Sequence, residues 1–176
     1  MAATRLIRPD DAPRLAALVT ASRDFLAPWE PVRGEAYFTV EGQVAAVRGA
    51  LAQHEQGMGL PHVILDPAGE VVGRINLSGI VRGPFQSGNL GYWLNEAHTG
   101  RGLATAAVRH VVRLAFDELG LHRIQAGALP RNTASRRVLE RTGFVRFGLA
   151  PEYLKIAGRW QDHVLFQLIH RAPVYD

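Results

Sequence analysis

The chain has 176 residues, 47% of them apolar, and no cysteine. That length predicts one domain over residues 1–176 with a sizeable core, and the missing thiols exclude disulfides, cysteine-ligated zinc and a cysteine nucleophile. Twenty basic against 16 acidic residues give a formal charge of +4, spread without a block of one sign, so direct nucleic-acid binding is not indicated. In chain order, charges at Arg5, Arg8, Asp10 and Asp11 interrupt the N-terminus where the apolar stretch of a secretory leader would lie. No apolar run is long enough to span a bilayer. The expectation is a cytoplasmic protein without a membrane partner.

Residues 5–8 read as a short strand ended by Pro9, after which Asp10 caps a helix running to about Ala21. Two prolines make residues 23–33 a loop, and residues 41–56 are helical until Gly57 and Gly59 stop them. Three strand-like runs follow: 62–66 and 70–78, joined as a hairpin by Pro67, Ala68 and Gly69, and then 89–95. The stretch 79–88 between them, rich in Gly and Pro, reads as a loop or an irregular hairpin. A helix from about Gly102 to Leu119 carries Leu103, Ala107, Val111, Leu114 and Ala115 on one side, and Gly120 ends it. Residues 122–129 form a strand, Asn132 starts a helix that Gly143 ends, and 144–154 with 160–169 make a closing antiparallel pair. This order predicts a three-layer α+β fold: a mixed, mostly antiparallel sheet of about seven strands flanked by helices. The strands on either side of the Gly102 helix should be parallel, because a crossover helix joins them.

The stretch "NEAHTGRGLATAAVRHV", residues 95–111, places Gly100 and Gly102 where a long helix begins. Such a loop lets successive N–H groups point into one hollow, backed by the positive end of the helix dipole, which suits a phosphate. Arg101 can add a charge-assisted contact. A glycine turn with no ligand is the alternative. A Walker loop is excluded because Leu103 and Ala104 follow Gly102, and a dinucleotide fingerprint because Thr105 stands at its third glycine. Asn132 and Ser135 open the helix after the next strand, so they should face the same cleft. A plain N-cap and a first-turn serine are the alternatives for these two.

With these residues in hand, "TGRGLATAAVRHVVRLAF" resembles the coenzyme-A loop and helix of the GCN5-related N-acetyltransferases, whose pattern is Gln/Arg-x-x-Gly-x-Gly/Ala. "HRIQAGALPRNTASRRVLERTGF" is similar to the next strand and helix in the family's ribosomal-protein-alanine acetyltransferase branch. "FLAPWEPVR", "NLSGIVRGPFQSGNLGYWL" and "YLKIAGRWQDHVLF" extend the resemblance over nearly the whole chain. Thr99 departs from the pattern where Gln or Arg is usual, and Ala104 fits the final position.

The resemblance implies transfer of an acetyl group from acetyl-CoA, without a metal, to an amine. The implied acceptor is the N-terminal alanine of a small-subunit ribosomal protein of the S5 type, by a monomer or homodimer. A small-molecule amine acceptor is the rival, and a non-catalytic acyl-CoA sensor is a second. It further implies cofactor contacts from Trp93, Leu94, Asn95, Thr99, Gly100, Arg101, Gly102, Leu103, Ala104, Thr105, Asn132 and Ser135, largely through the main chain. Ser135 would then serve the leaving thiolate. An α-amine with a reference pKa near 8 needs only a weak base or a water relay. Asn89, where relatives often carry Glu, can hold a water; Glu30 is a candidate base, and His163 beside Asp162 is another. Phe25, Trp29, Glu30, Tyr92 and Asp162 are candidates for acceptor contact, as is Trp160. Core packing or solvation is the alternative for each of these side chains.

Overall fold

Strand alternation and helix periodicity build one sheet with a helical layer on each face. The computed structural model describes residues 3–171. Its seven strands are β1 (Thr4–Leu6), β2 (Leu60–Leu65), β3 (Val71–Val81), β4 (Ser87–Leu94), β5 (Arg123–Ala128), β6 (Val145–Ile156) and β7 (Arg159–Ile169). They lie in the order β1-β2-β3-β4-β5-β7-β6. Every adjacent pair is antiparallel except β4 with β5, which the crossover between them requires. This is the expected mixed three-layer arrangement.

The helices are α1 (Ala12–Ala21), α2 (Arg23–Leu26), α3 (Val40–Glu55), α4 (Leu103–Arg113) and α5 (Thr133–Arg141). On one face Val108, Val111 and Ala115, in the α4 region, join Leu139 of α5 over Ile75, Leu77, Ile124 and Phe166. On the other, Leu15 of α1 and Val47 of α3 pack with Val63 and Val71. Each buried Val, Leu, Ile or Phe among them contributes roughly 1.5–3 kcal/mol, so the helices are held to the sheet by their apolar stripes. The α4 layer also buries a polar trio. Thr4 Oγ1 lies 2.8 Å from His62 Nδ1 and 2.7 Å from His110 Nδ1. Burial, helped by the neighbouring His110, pushes the His62 imidazole down to about 4, so it is neutral near pH 7.

Several boundaries differ from the sequence expectation, each for a local reason. Asp11, not Asp10, organises the first helix. Its carboxylate accepts the Arg8 N–H at 2.7 Å and pairs with Arg5 at 2.7 Å, and a 3-10 turn over Pro9–Asp11 precedes α1. Residues 23–33 are not all loop, because the Leu26 N–H closes one helical turn onto the Ser22 carbonyl at 2.8 Å. Thr39 caps α3 by accepting the Gly42 N–H at 3.0 Å. β3 runs on to Val81, with its register slipping between Ser78 and Val81, so the stretch 79–88 is an irregular hairpin. The long helix changes pitch: α4 passes into a π turn over Leu114–Glu118, in which Leu119 N–H bonds Leu114 C=O at 3.0 Å. Leu121 then bonds back to Ala115 at 2.9 Å and sinks into the core.

Candidate active site

The two halves of the sheet meet at β4 and β5 over only three rows: Ser87 with Arg123, Gly88 with Ile124, and Asn89 with Gln125. Past that point β4 continues to Leu94 bonded to β3, and β5 to Ala128 bonded to β7. Their facing edges carry N–H and C=O groups with no strand partner, so an extended ligand can take the place of a strand there. The gap opens at the C-terminal ends of two parallel strands, and both following helices start at that end. Such a place in an open sheet suits a ligand.

At the mouth of the gap Gly100 and Gly102 hold φ of 72° and 77°, the left-handed region in which a side chain is strained. Nothing lies within 4 Å of where either Cβ would stand, so the conformation and the hollow above it, not crowding, call for glycine. Gly102 is the N-cap of α4 and no side chain caps that helix. The first bond of the helix runs from Ala106 N–H to Gly102 C=O at 3.0 Å, which leaves the N–H groups of Leu103, Ala104 and Thr105 without helical partners. With the dipole behind them, these donors fit the pyrophosphate of coenzyme A. Arg101 is exposed beside them. Thr99 turns away, its hydroxyl donating to Glu96 C=O at 2.8 Å. Asn95 is also committed: its Nδ2 donates to Ser22 Oγ at 2.8 Å and its Oδ1 accepts the Ala97 N–H at 3.2 Å. The Asn95 main chain is taken as well, its N–H donating to Val72 C=O at 2.9 Å and its C=O accepting the His98 N–H at 3.0 Å, and the Thr99 N–H donates to Glu96 C=O at 3.2 Å.

Asn132 caps α5, its Oδ1 accepting the Ser135 N–H at 3.1 Å, which fixes the first turn beside the gap. From β4, Tyr92 reaches across to that turn. Its hydroxyl lies 3.0 Å from Ser135 Oγ and 3.2 Å from the Ser135 carbonyl. Burial pushes the Tyr92 phenol up to about 12, so it stays protonated and acts as a donor. When it donates to Ser135 Oγ, the serine proton is left to point at a third atom. The Tyr92 ring lies on the side of β4 turned away from Trp93. Strand alternation puts it on the α4–α5 face with Leu90 and Leu94.

The opposite face of β4 presents Asn89, Gly91 and Trp93. Asn89 is exposed at the closed end of the gap, with its carbonyl accepting from Ser78 Oγ at 3.4 Å. Nothing lies within 4 Å of a Cβ built on Gly91, and Trp93 packs against the α1–α3 layer. The side chains of Trp93 and Leu94 are thus both committed to packing. A loop over residues 27–34 is tied to the elements beyond the gap. Ala157 N–H donates to Glu30 C=O at 2.9 Å, and Arg131 donates to Pro28 C=O at 3.0 Å while covering the Trp29 ring at 5.4 Å. The Glu30 side chain is 17% exposed and 3.8 Å from Arg33. Its burial raises its pKa, with Arg33 and Arg74 opposing.

Phe25 is half-buried, and Trp160 is 61% exposed. Asp162 is bound locally, its Oδ1 accepting the Glu152 N–H at 2.9 Å where the β6–β7 register slips. One carboxylate oxygen thus supports the hairpin, and the side chain is exposed. His163 is buried, with Nδ1 3.0 Å from Gln161 C=O. Sequence reasoning missed two features, the Tyr92–Ser135 bridge and Arg74. The bridge left no local signal, because its partners are 43 positions apart. Arg74 did leave one, a charge in the middle of the otherwise apolar "VVGRINLS".

The acetyltransferase (GNAT) domain family model matches residues 4–145. The probable N-acetyltransferase YjcK of Bacillus subtilis is 38% identical over 95% of this chain and 94% of its own length. The ribosomal protein uS5-alanine N-acetyltransferase of Escherichia coli is 38% identical over 93% of this chain and 85% of its own. Among solved structures, the ribosomal-protein-S5-alanine acetyltransferase from Vibrio fischeri superposes with a TM-score of 0.89 at 37% identity, covering 94% of this chain and 91% of that one. RimJ of Mycobacterium smegmatis, solved in complex with a CoA disulfide, gives 0.90 at 35%, covering 94% and 80%.

Proposed function

Since the chain belongs to the GNAT acetyltransferase family, we propose that it transfers an acetyl group from acetyl-CoA to the N-terminal alanine of a ribosomal protein, of the uS5 kind named for its relatives. The observation that carries the reading is the unpaired β4–β5 gap, with the uncapped glycine loop at its mouth and the Tyr92–Ser135 pair across it. A ribosomal-protein acceptor places the reaction in the cytoplasm.

Acetyl-CoA supplies a thioester that a neutral amine can attack. The N–H groups from Gly100 to Thr105 hold its pyrophosphate, with Arg101 at the rim, and the free main-chain edge from Tyr92 to Leu94 aligns its arm. An N–H on that edge stabilises the charge that grows on the carbonyl oxygen. Ser135 donates its hydroxyl proton as a hydrogen bond to the departing sulfur, and Tyr92 donates to the serine oxygen in turn. As the C–N bond forms and the C–S bond breaks, the amine sheds one proton. Near pH 7 a water held by Asn89 suffices for an α-amine, and Glu30 offers a carboxylate to the approaching ammonium. Phe25 and Trp29 flank that approach.

Thiol release measured over a panel of alanine-starting ribosomal peptides and small amines tests the assignment. An alanine peptide should exceed spermidine and free amino acids in kcat/KM by at least about tenfold, or about 1.4 kcal/mol. A small amine that wins by that margin overturns the acceptor and leaves the enzyme class standing.

A further inference from the structure

A buried cation lacks a full set of partners on the α3-facing side of β3. Arg74, in the middle of β3, is 8% exposed. One of its terminal nitrogens reaches Asn76 Oδ1 at 3.4 Å, while its Nε has no hydrogen-bond partner among the described residues. The carboxylate whose field reaches it is Glu30, and that carboxylate is already shared with Arg33. Two guanidiniums thus share one carboxylate, with the Tyr37 phenol also near Arg74. Desolvating a guanidinium is costly unless charge and hydrogen bonds are supplied to it.

Room for such a supply lies beside it. A cavity of about 340 Å3 separates α3 from β3, walled by Ala46, Gly49 and Ala50 on the helix and by Arg74, Asn76 and Ser78 on the strand. The three helical residues share one face, at spacings of three and four, with Gln53, which also lines the cavity, and the three are too small to fill the space. The three strand residues share a face because strand positions alternate. Register sets Asn76 opposite Gly91 and Ser78 opposite Asn89, so this polar row runs alongside the gap, one strand away.

We propose that Arg74, with Asn76 and Ser78, forms a carboxylate-binding subsite that holds an acidic group of the acceptor. From the β4–β5 gap to the far side of β3 is about two strand spacings, roughly 10 Å, which an extended chain covers in about three residues. On a polypeptide the carboxylate is therefore an Asp or Glu side chain near the third or fourth residue. A small amine would present its own carboxylate at a like distance. The inference rests on acetyl transfer to an amine, and it adds a preference that this reading does not contain.

The test compares alanine-starting peptides with Glu or Ala at each of positions 2 to 5, and linear amines with and without a terminal carboxylate. Wild type, Arg74→Gln and Arg74→Lys are assayed, with acetyl-CoA affinity as the check that each variant is folded. The wild type should favour the acidic acceptor by about 10- to 100-fold in kcat/KM, the worth of one charge-assisted contact. Arg74→Gln should abolish that ratio while leaving the all-alanine peptide within about threefold, and Arg74→Lys should restore part of it. The arm in which the preference appears identifies the source as polypeptide or small amine. No preference in either arm, or one that survives Arg74→Gln, overturns the subsite. If no acceptor turns over, the functional reading falls, and glutarate alone decides: a rise in Tm confined to proteins with Arg74 supports the subsite, and no rise overturns it.

Discussion

The two sides of the β4–β5 gap are built from different materials. The side facing α4 and α5 is mostly main chain: two left-handed glycines, three uncapped N–H groups, and two helix starts fixed by the strands before them. The side facing α1 and α3 is made of long charged and aromatic side chains, Glu30, Arg33, Arg74 and Trp29, drawn from a loop and a distant strand. Main-chain donors recognise a constant group such as a pyrophosphate, whatever the neighbouring side chains. Side chains can be exchanged one at a time, so that is where a change of acceptor is to be sought.

Four changes sharpen or break this division. The largest effect is on stability and belongs to the α4 layer. An unfolded His62 takes up a proton below about pH 6.5, whereas the folded one resists until about 4. The unfolded chain binds more protons in that window, so stability is lost as pH falls through it and levels off below. At about 1.4 kcal/mol per pH unit between those values, the loss is roughly 3 kcal/mol. Urea unfolding of wild type against His62→Asn from pH 7 to 4 should show the steeper slope in the wild type; His110, whose pKa burial also lowers, gives both proteins a part of it.

Next comes Gly102→Val. A β-branched residue at φ 77° carries about 1–3 kcal/mol of strain, and calorimetry should find acetyl-CoA binding weaker by about 10- to 100-fold. If instead KM for the acceptor rises while acetyl-CoA affinity holds, the two sides are not divided as described. Ser135→Ala removes one donor and should lower kcat by about tenfold to a hundredfold with acetyl-CoA affinity little changed; single-turnover rates decide this. Tyr92→Phe, which leaves the serine hydroxyl in place, should cost about threefold to tenfold in the same assay. A larger loss for Tyr92→Phe than for Ser135→Ala would reverse their order.

The same contrast explains what could be read from the chain before its fold was seen. Gly100, Gly102, Asn132 and Ser135 announce themselves because each acts within a few residues of its own position. A left-handed turn, an N-cap and a helix start are local events. Asp11 took the place of Asp10 because Arg5, from the strand before it, decides which carboxylate is held. The π turn after Arg113 left no mark, since apolar residues at spacings of three and four suit both pitches. Which face of β4 Tyr92 occupies is set by its pairing with β3, a long-range fact that no local pattern carries. Arg74 is legible as a charge out of place, but its want of a partner depends on Glu30 and Arg33, some forty residues earlier.

Strand pairing between the four-stranded half of this sheet and the three-stranded half covers three rows. The molecule is therefore sewn along a seam that stops partway, and whatever lies along the open remainder serves as thread. A donor molecule seated there ties one half to the other, so its arrival should raise the melting point and quiet amide exchange in both halves together. Its departure unpicks both again, leaving the emptied protein the looser garment.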